Sequence, residues 1–508
     1  MRRRLNILFV MADQLTPAAL AFHGGPAKTP HLSALAERSV VFDAAYCASP
    51  LCSPSRVALI TGQLPSRTGA YDNAAEFRSD IPTFAHYLRH AGYRTVLAGK
   101  MHFCGADQLH GFEQRLTTDI YPADFGWTPD WEKPHERPSW YHNLSSVTEA
   151  GVCVRSNQID FDEEVVFAAE RMIYDHVRSA DDRPLCLVAS LTHPHDPFAI
   201  QERWWRLYDE ADIPAPRIAS GELPLTPHEQ RLWHVCDMGG LNVTREHVRR
   251  ARRAYCGAVS YFDDNLGRLM RALELAGLAQ DTLVIVTSDH GEMLGERGFW
   301  YKMSFFEGSS RVPLIMHAPG RFAARRVANA VSLLDILPTL AEIGADGART
   351  DYATELDGQS LLPRLGGGDG HDEALGEYLA EGAAAPIVMI RRGKHKFVSS
   401  PSDPDELYDL AADPDERINL TDRPDAAALR ENFRAEVARR WDLASLDRAV
   451  RESQRRRRAV KAALAVGERS DWDYQPPRDA SREYVRSYMD LDEREARTRF
   501  PPVRRDQP

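Results

Sequence analysis

Three observations on this 508-residue chain predict an α/β fold built on a mostly parallel sheet. Short apolar runs rich in β-branched residues recur: "LNILFVMADQ", "TVLAGKMHF", "PLCLVASLTHPHDP", "TLVIVTSDHGE" and "VPLIMHAPG". Each gives way abruptly to polar residues, and helical patterns such as "TPHLSALAERSVVF" and "SYFDDNLGRLMRALELAGLA" lie between them. Unbroken apolar strands are those buried on both faces, and strands alternating with helices put helices on those faces.

At the N-terminus, "MRRRLNILFVMADQL" mimics a secretory leader, but its apolar run is short and ends on Asp13 without a small-residue cleavage site, so a buried first strand is expected. No apolar run is long enough to span a bilayer. Seven scattered cysteines without a CxxC pair argue against a disulfide framework or a zinc site, and a cytoplasmic setting is expected. A hydrophobic fraction of 43% places the chain among globular proteins, and its net charge of −11 argues against broad nucleic-acid or anionic-membrane binding.

The length exceeds one ordinary core, so two domains or one large α/β domain with additions are expected. "LGGGDG" (365–370) is the clearest linker, giving a catalytic domain over 1–365. Short strands and turns in "PIVMIRRGKHKFV" and "ELYDLAADPDERINL" make 371–445 a smaller α+β subdomain. The segment 446–508 reads as an extended oligomerisation tail, opening on the basic helix "RESQRRRRAVKAALAV", whose arginines form a solvated face.

Polar residues at strand ends carry the functional signal. Asp13, Lys100, His102, His193, His195, Asp289 and His290 each sit at or just after an apolar run, at the sheet edge where α/β proteins bind ligands. Cys52 opens the helical run "CSPSRVALITG". A buried small residue, a disulfide half pairing with Cys47, a metal ligand or a reactive centre are all compatible with a lone cysteine there. A helix start, where backbone N–H groups favour anions, suits the last.

"CSPSRVALITG" resembles the C-x-P-S-R…T-G motif of the formylglycine-dependent sulfatases. The resemblance runs from Leu5 into the tail through "YDNAAEF", "GKMH", "LTTDIYPADFGWTPDW", "THPHDP", "SDHGEMLGERG" and "YKMSFFEGS", and is similar to the choline sulfatase branch in particular. It implies the alkaline phosphatase-like fold: a mixed, mostly parallel sheet flanked by helices. It also implies that Cys52 is oxidised to formylglycine by a formylglycine-generating enzyme. One hydroxyl of the hydrated aldehyde attacks sulfur; loss of the second proton expels sulfate from the sulfoenzyme, a step that serine cannot perform.

By the same resemblance, Asp13, Gln14, Cys52, Asp289 and His290 hold one divalent metal, with Ca2+ expected and Mn2+ or Mg2+ as alternatives. Gln14 stands where many sulfatases have a second aspartate, so one negative charge is missing. Arg56 and Lys100 neutralise sulfate, His102 takes the gem-diol proton, and His195 with Lys302 protonates the leaving alcohol, while His193 is structural. Asn73 lies near sulfate, Trp127 and His142 line the choline pocket, and Asp492 (in the other register Asp490) reaches it from a neighbour in a homotetramer. The implied reaction is hydrolysis of choline sulfate. A phosphonate or phosphate mono- or diester hydrolase, or an unmodified binding protein, are the alternatives.

Overall fold

The computed structural model describes residues 4–348, 350–468, 472–477 and 489–501. Its centre is an eight-stranded sheet in the order β10-β2-β9-β8-β1-β6-β3-β4. The strands are β1 (Asn6–Ala12), β2 (Val40–Tyr46), β3 (Arg94–Gly99), β4 (Gln114–Arg115), β6 (Leu185–Ser190), β8 (Thr282–Ser288), β9 (Arg311–His317) and β10 (Arg325–Ser332). A two-stranded parallel pair, β5 (Gly151–Cys153) with β7 (Ala199–Gln201), stands apart.

The parallel block β8-β1-β6-β3 accounts for the unbroken apolar runs, since every residue of β1, β6 and β8 is buried. Alternate side chains of β1 enter opposite cores. Leu8 and Val10 pack with Val165 and Val259 from helices α4 (Asn157–Arg178) and α5 (Arg245–Leu275). Ile7, Phe9 and Met11 pack with Val57, Leu88 and Leu337 from α2 (Cys52–Thr61), α3 (Phe84–His90) and α6 (Ile336–Gly344). Each such aliphatic or aromatic side chain contributes about 1.5–3 kcal/mol by leaving water, so the two cores fix the height of β1 and hence of Asp13 beyond it.

Two expectations change. "TPHLSALAERSVVF" is helical only over α1 (Pro30–Ala36), and its β-branched end starts β2. β9 runs antiparallel to both β2 and β8, so the segment before it, rather than after it, reaches the sheet's functional edge. Continuous burial makes a strand apolar in either direction, which is why the sequence did not mark this reversal.

Beyond the 365–370 stretch, β11 (Glu373–Tyr378), β12 (Ile387–Arg392), β13 (His395–Ser400) and β14 (Asp403–Asp409) form an antiparallel sheet. Its core is shared: Leu375, Val388 and Phe397 pack with Phe433 of α7 (Ala427–Arg440) and with Ala58 of α2. Helix α8 (Leu443–Leu464) then runs without a break at 446 onto the loop around residues 123–132. Trp472 packs on Phe125 and Tyr474 over Arg115, whereas Tyr484 lies outside the described residues. A last helix, α9 (Leu491–Thr498), is exposed, and Phe500 beyond it packs on Tyr174 of α4.

Candidate active site

Asp13 follows β1, Lys100 follows β3, His193 and His195 follow β6, and Asp289 and His290 follow β8. Because these four strands are parallel and adjacent, all six side chains start from one edge. Arg56 crosses beneath them from α2. Its Nε donates to Asp289 Oδ2 at 2.8 Å, an NH2 nitrogen lies 3.4 Å from Asp13 Oδ2, and NH1 donates to the Lys100 carbonyl (2.6 Å) and Ser190 Oγ (2.8 Å). Fully buried, this guanidinium is engaged with two carboxylates, which makes it their anchor more than a free sulfate ligand. Lys100 pairs with Asp13 and lies 4.3 Å from the Tyr121 ring centre. Burial and Cys52 oppose ionisation of Asp13, but Lys100, His195 and Arg56 hold its carboxyl down at about 2.

Cys52 is the first residue of α2, whose ten residues are all buried; the helix ends on Gly62, whose φ of 65° closes it in the left-handed region. No side chain at its own cap position serves the helix start. Instead Asn73, from the following loop, accepts the Ser53 N–H at 3.0 Å. The Cys52 sulfur lies 3.2 Å from His290 Nε2 and 3.9 Å from Asp13 Oδ1. Burial works against its ionisation, yet Lys100, Lys302 and His290 together lower the thiol well below its ordinary value. The same field acts in reverse on His290: burial disfavours the charged ring, and Asp289 and Cys52 raise it.

Asp13, Cys52, Asp289 and His290 offer four ligand atoms that all lie within 4.8 Å of one another. Two carboxylates, an imidazole and the side chain at position 52 fit a divalent cation, and an oxygen at that position would suit a hard one. Gln14 enters differently. At a φ of 65° it donates its backbone N–H to Asp289 Oδ1 (3.0 Å), while its amide nitrogen donates to Glu292 Oε2 (2.5 Å) and Asp196 Oδ1 (3.4 Å) and its amide oxygen accepts from Lys302 (2.6 Å). Its carboxamide is therefore held at the Lys302 end rather than among the four donors.

His195 accepts from Lys302 Nζ at Nε2 (2.9 Å), which leaves Nδ1–H to donate to the Asp196 carbonyl (2.7 Å). Lys302 precedes the antiparallel β9, which is how it reaches this edge. The His102 ring reaches the Cys52 thiol as a hydrogen-bond partner that helps to lower it, and its nitrogens meet no other partner among the described residues. Its backbone is fixed at a φ of 55° by Asp119, which accepts the Met101 and His102 N–H groups at 2.9 Å. His193 turns away to Asp162 (2.7 Å).

Above His102 stands an aromatic wall. Trp127 meets His102 edge-on (5.6 Å between centres) and Tyr121 (5.3 Å), and stacks on Trp140 (6.3 Å). His142 stacks on Tyr301 at 4.3 Å, and burial pushes its pKa down to about 3, so it is neutral. Several participants carry no marker at strand ends: Tyr121, Asp196, Glu292 and Glu381. Asp196 and Glu292 sit inside quoted motifs; Glu381 sits in "YLAEGAAAP" without any signal. Both of its carboxylate oxygens are buried and have no hydrogen-bond partner among the described residues. Burial, and next the Asp72 carboxylate, push it up to about 8. Asp492 lies exposed in the first turn of α9, where Asp490 is the cap, accepting from Asp492 N (3.0 Å) and Glu493 N (3.2 Å).

The sequence of this site matches known proteins over almost its whole length. The Sulfatase family matches residues 5–344, the family "Choline sulfatase enzyme C terminal" matches 448–500, and the C-terminal family of N-sulphoglucosamine sulphohydrolase matches 295–442. The choline-sulfatase of Rhizobium meliloti (strain 1021) is 49% identical over 98% of this chain and 98% of its own. Human iduronate 2-sulfatase is 28% identical over 72% of this chain and 68% of its own. Among solved structures, the phosphonate monoester hydrolase of Agrobacterium radiobacter superposes with a TM-score of 0.69 at 26% identity, covering 86% of this chain and 95% of that one.

Proposed function

Because this chain belongs to the sulfatase family, we propose that it hydrolyses choline sulfate to choline and inorganic sulfate. The observation that carries the reading is one juxtaposition: a buried donor cluster around Cys52 beside an aromatic wall, with Glu381, buried and without a hydrogen-bond partner among the described residues, within electrostatic reach of Lys302. A quaternary ammonium has no N–H to donate. It is bound by ring faces and by negative charge, which Trp127, Tyr121 and Glu381 would supply. Ionised, Glu381 would trade a desolvated proton for a cationic partner.

Oxidised to formylglycine and hydrated, residue 52 would supply the two hydroxyls that this chemistry needs, one to attack sulfur and one to release it. A divalent ion held by Asp13, Asp289, His290 and residue 52 would supply a Lewis acid for the ester oxygens. Arg56 bridges both carboxylates and holds them in place. His102, whose ring reaches residue 52 and meets no other hydrogen-bond partner among the described residues, would accept the proton of the second hydroxyl. Two of the three Lys302 N–H bonds go to His195 and Gln14. The third is left to protonate the leaving alkoxide, and His195 orients the ammonium. Burial of the whole set keeps water from screening these charges.

In this reading the ion is Ca2+, the mature residue is made by a formylglycine-generating enzyme, and the setting is cytoplasmic; no described helix is long and apolar enough to cross a membrane. The assembly is a homotetramer in which Asp492 of the partner subunit completes the choline pocket. The exposure of α9 and the use of Asp490 as a cap favour that register. The proposed domains are those over 1–365, 371–445 and 446–508, the last boundary falling inside α8 (Leu443–Leu464).

Specificity constants for choline sulfate, an aryl sulfate and a phosphodiester, measured side by side, test the function. Choline sulfate should be preferred; preference for a phosphonate or phosphate ester would replace the reading. The intact mass of the Cys52 peptide from the native host should show formylglycine, and an unmodified cysteine would favour a binding protein. Asp492→Asn should raise KM for choline sulfate and spare the aryl sulfate. A fully active monomer would overturn the shared pocket.

A further inference from the structure

The run Arg455–Arg458 on α8 is not the uniform solvated face that its composition suggests. Arg455 and Arg456 are exposed and pair with Glu132 (2.9 Å) and Glu452 (2.6 Å). Arg457 turns inward. Its NH1 and NH2 donate to the two oxygens of Asp72 at 2.8 and 2.7 Å, and NH1 also reaches Thr128 Oγ1 at 3.2 Å. Arg457 and Asp72 are both buried, at 6% exposure for the arginine and none for the aspartate side chain. Desolvating such a pair is costly, so its net effect is better sought in what it holds in register than in stability.

What it holds is both ends of the site. Asp72 precedes Asn73, whose amide oxygen caps the backbone N–H next to Cys52. Thr128 follows Trp127, the centre of the aromatic wall. Neighbours on the same helix grip the same loop. Gln454 Oε1 accepts the Trp131 N–H (2.9 Å), Arg451 donates to the Trp131 carbonyl (2.7 Å), and Lys461 donates to the Gly126 carbonyl (2.8 Å).

We propose that Arg457 is a positioning residue that sets the distance and angle between the nucleophile at position 52 and the aromatic head-group wall, and so selects sulfate esters of short cationic alcohols. The inference rests on the choline sulfate reading for the identity of the head group, but not for the coupling of the two loops. Arg457 touches no substrate; it acts through Asp72 and Thr128.

The test compares the wild-type enzyme with Arg457→Lys, which keeps the charge but loses the two-pronged fork, and with the double variant Asp72→Asn/Arg457→Gln, which leaves no buried charge unpaired. Misplacing Trp127 should raise KM for choline sulfate about tenfold in each while kcat stays within about threefold. Specificity constants for an aryl sulfate without an ammonium group should change by less than about twofold. Amide hydrogen exchange should quicken over 123–131 and stay slow in β1 and β8. Equal losses on both substrates, or unchanged exchange over 123–131, would overturn the positioning role. Should the wild type prefer the aryl sulfate, the choline reading fails on that result alone. The exchange measurement then still decides whether Arg457 couples the loops.

Discussion

At the nucleophile end, Asp13, Lys100, Asp289 and His290 issue from four adjacent parallel strands, and Arg56 bridges the two carboxylates from a fully buried helix. At the head-group end, Trp127, Trp140 and His142 stand on a long irregular segment between β4 and β5, braced by a helix more than 300 residues further along the chain. The first end draws its precision from the sheet, where two cores fix strand heights and every charge has a partner. The second draws it from a clasp of side-chain-to-backbone hydrogen bonds on an element outside the sheet. In the proposed reading the chemistry thus sits on the rigid scaffold, and substrate choice sits on a loop joined to it through the Arg457–Asp72 pair.

The largest effect expected of this division is at position 52. Cys52→Ala should abolish sulfate release, a loss of about 10^4-fold or more, because the proposed mechanism routes the attack on sulfur through residue 52. Cys52→Ser should stop after one sulfuryl transfer, and quantifying bound sulfate by mass separates the two. Full turnover by the serine variant would mean that a second hydroxyl is unnecessary. Both substrates should suffer alike, as the strand-end origin of the site requires.

Next in size is the metal. Chelation should remove activity with the circular dichroism spectrum largely kept, and Ca2+ or Mn2+ should restore it. Asp289→Asn should weaken metal binding by more than the about 10–100-fold typical of supporting residues. It also takes from Arg56 a buried counter-charge. Undiminished turnover in a verified metal-free sample would remove Asp13, Asp289 and His290 from the role argued above.

How much of this was legible in the sequence follows the same division. The strand-end residues were, because a buried parallel strand must be apolar until it meets the edge, so Asp13, Lys100 and Asp289 announce themselves. Lys302 was found by resemblance alone, since it precedes an antiparallel strand whose direction leaves no mark. The engagement of the Gln14 carboxamide with Lys302, Asp196 and Glu292 depends on three distant segments and had no local signal. Glu381 and Arg457 were illegible for one shared reason. A buried charge looks in sequence like a solvated one, and only the packing of distant elements tells them apart.

Glu381 offers a sharper contrast through pH. Its carboxyl is raised from 4.5 to about 8 by burial and Asp72. Between those values the folded chain holds a proton that the unfolded chain has released, so this group makes stability fall as pH rises through the window. Glu381→Gln should therefore melt higher than wild type at pH 8 and no differently at pH 4. At pH 9 the same variant should show KM for choline sulfate raised about tenfold, a gap that narrows as wild-type Glu381 protonates. The aryl sulfate should be indifferent. A variant that gains no stability and keeps its choline preference would leave the head-group end without its anionic wall.

The smallest effect belongs to the residue next to the clasp. Arg456 precedes Arg457 in an unbroken run of four arginines, and nothing in the sequence separates them. One turn of geometry does: Arg456 points to solvent and pairs with Glu452 one helical turn back, both side chains being more than half exposed. Exposed pairs of this spacing contribute about 0.3–0.5 kcal/mol, and salt screens them further. Arg456→Ala should accordingly leave kcat and KM for both substrates within about twofold and Tm nearly unchanged. Its neighbour should lose choline preference. If the two substitutions behave alike, the helix acts on the loop through its overall charge rather than through one buried fork. Raising the salt concentration would then weaken choline binding in the wild type, whereas a desolvated pair between Arg457 and Asp72 should make it almost insensitive to salt.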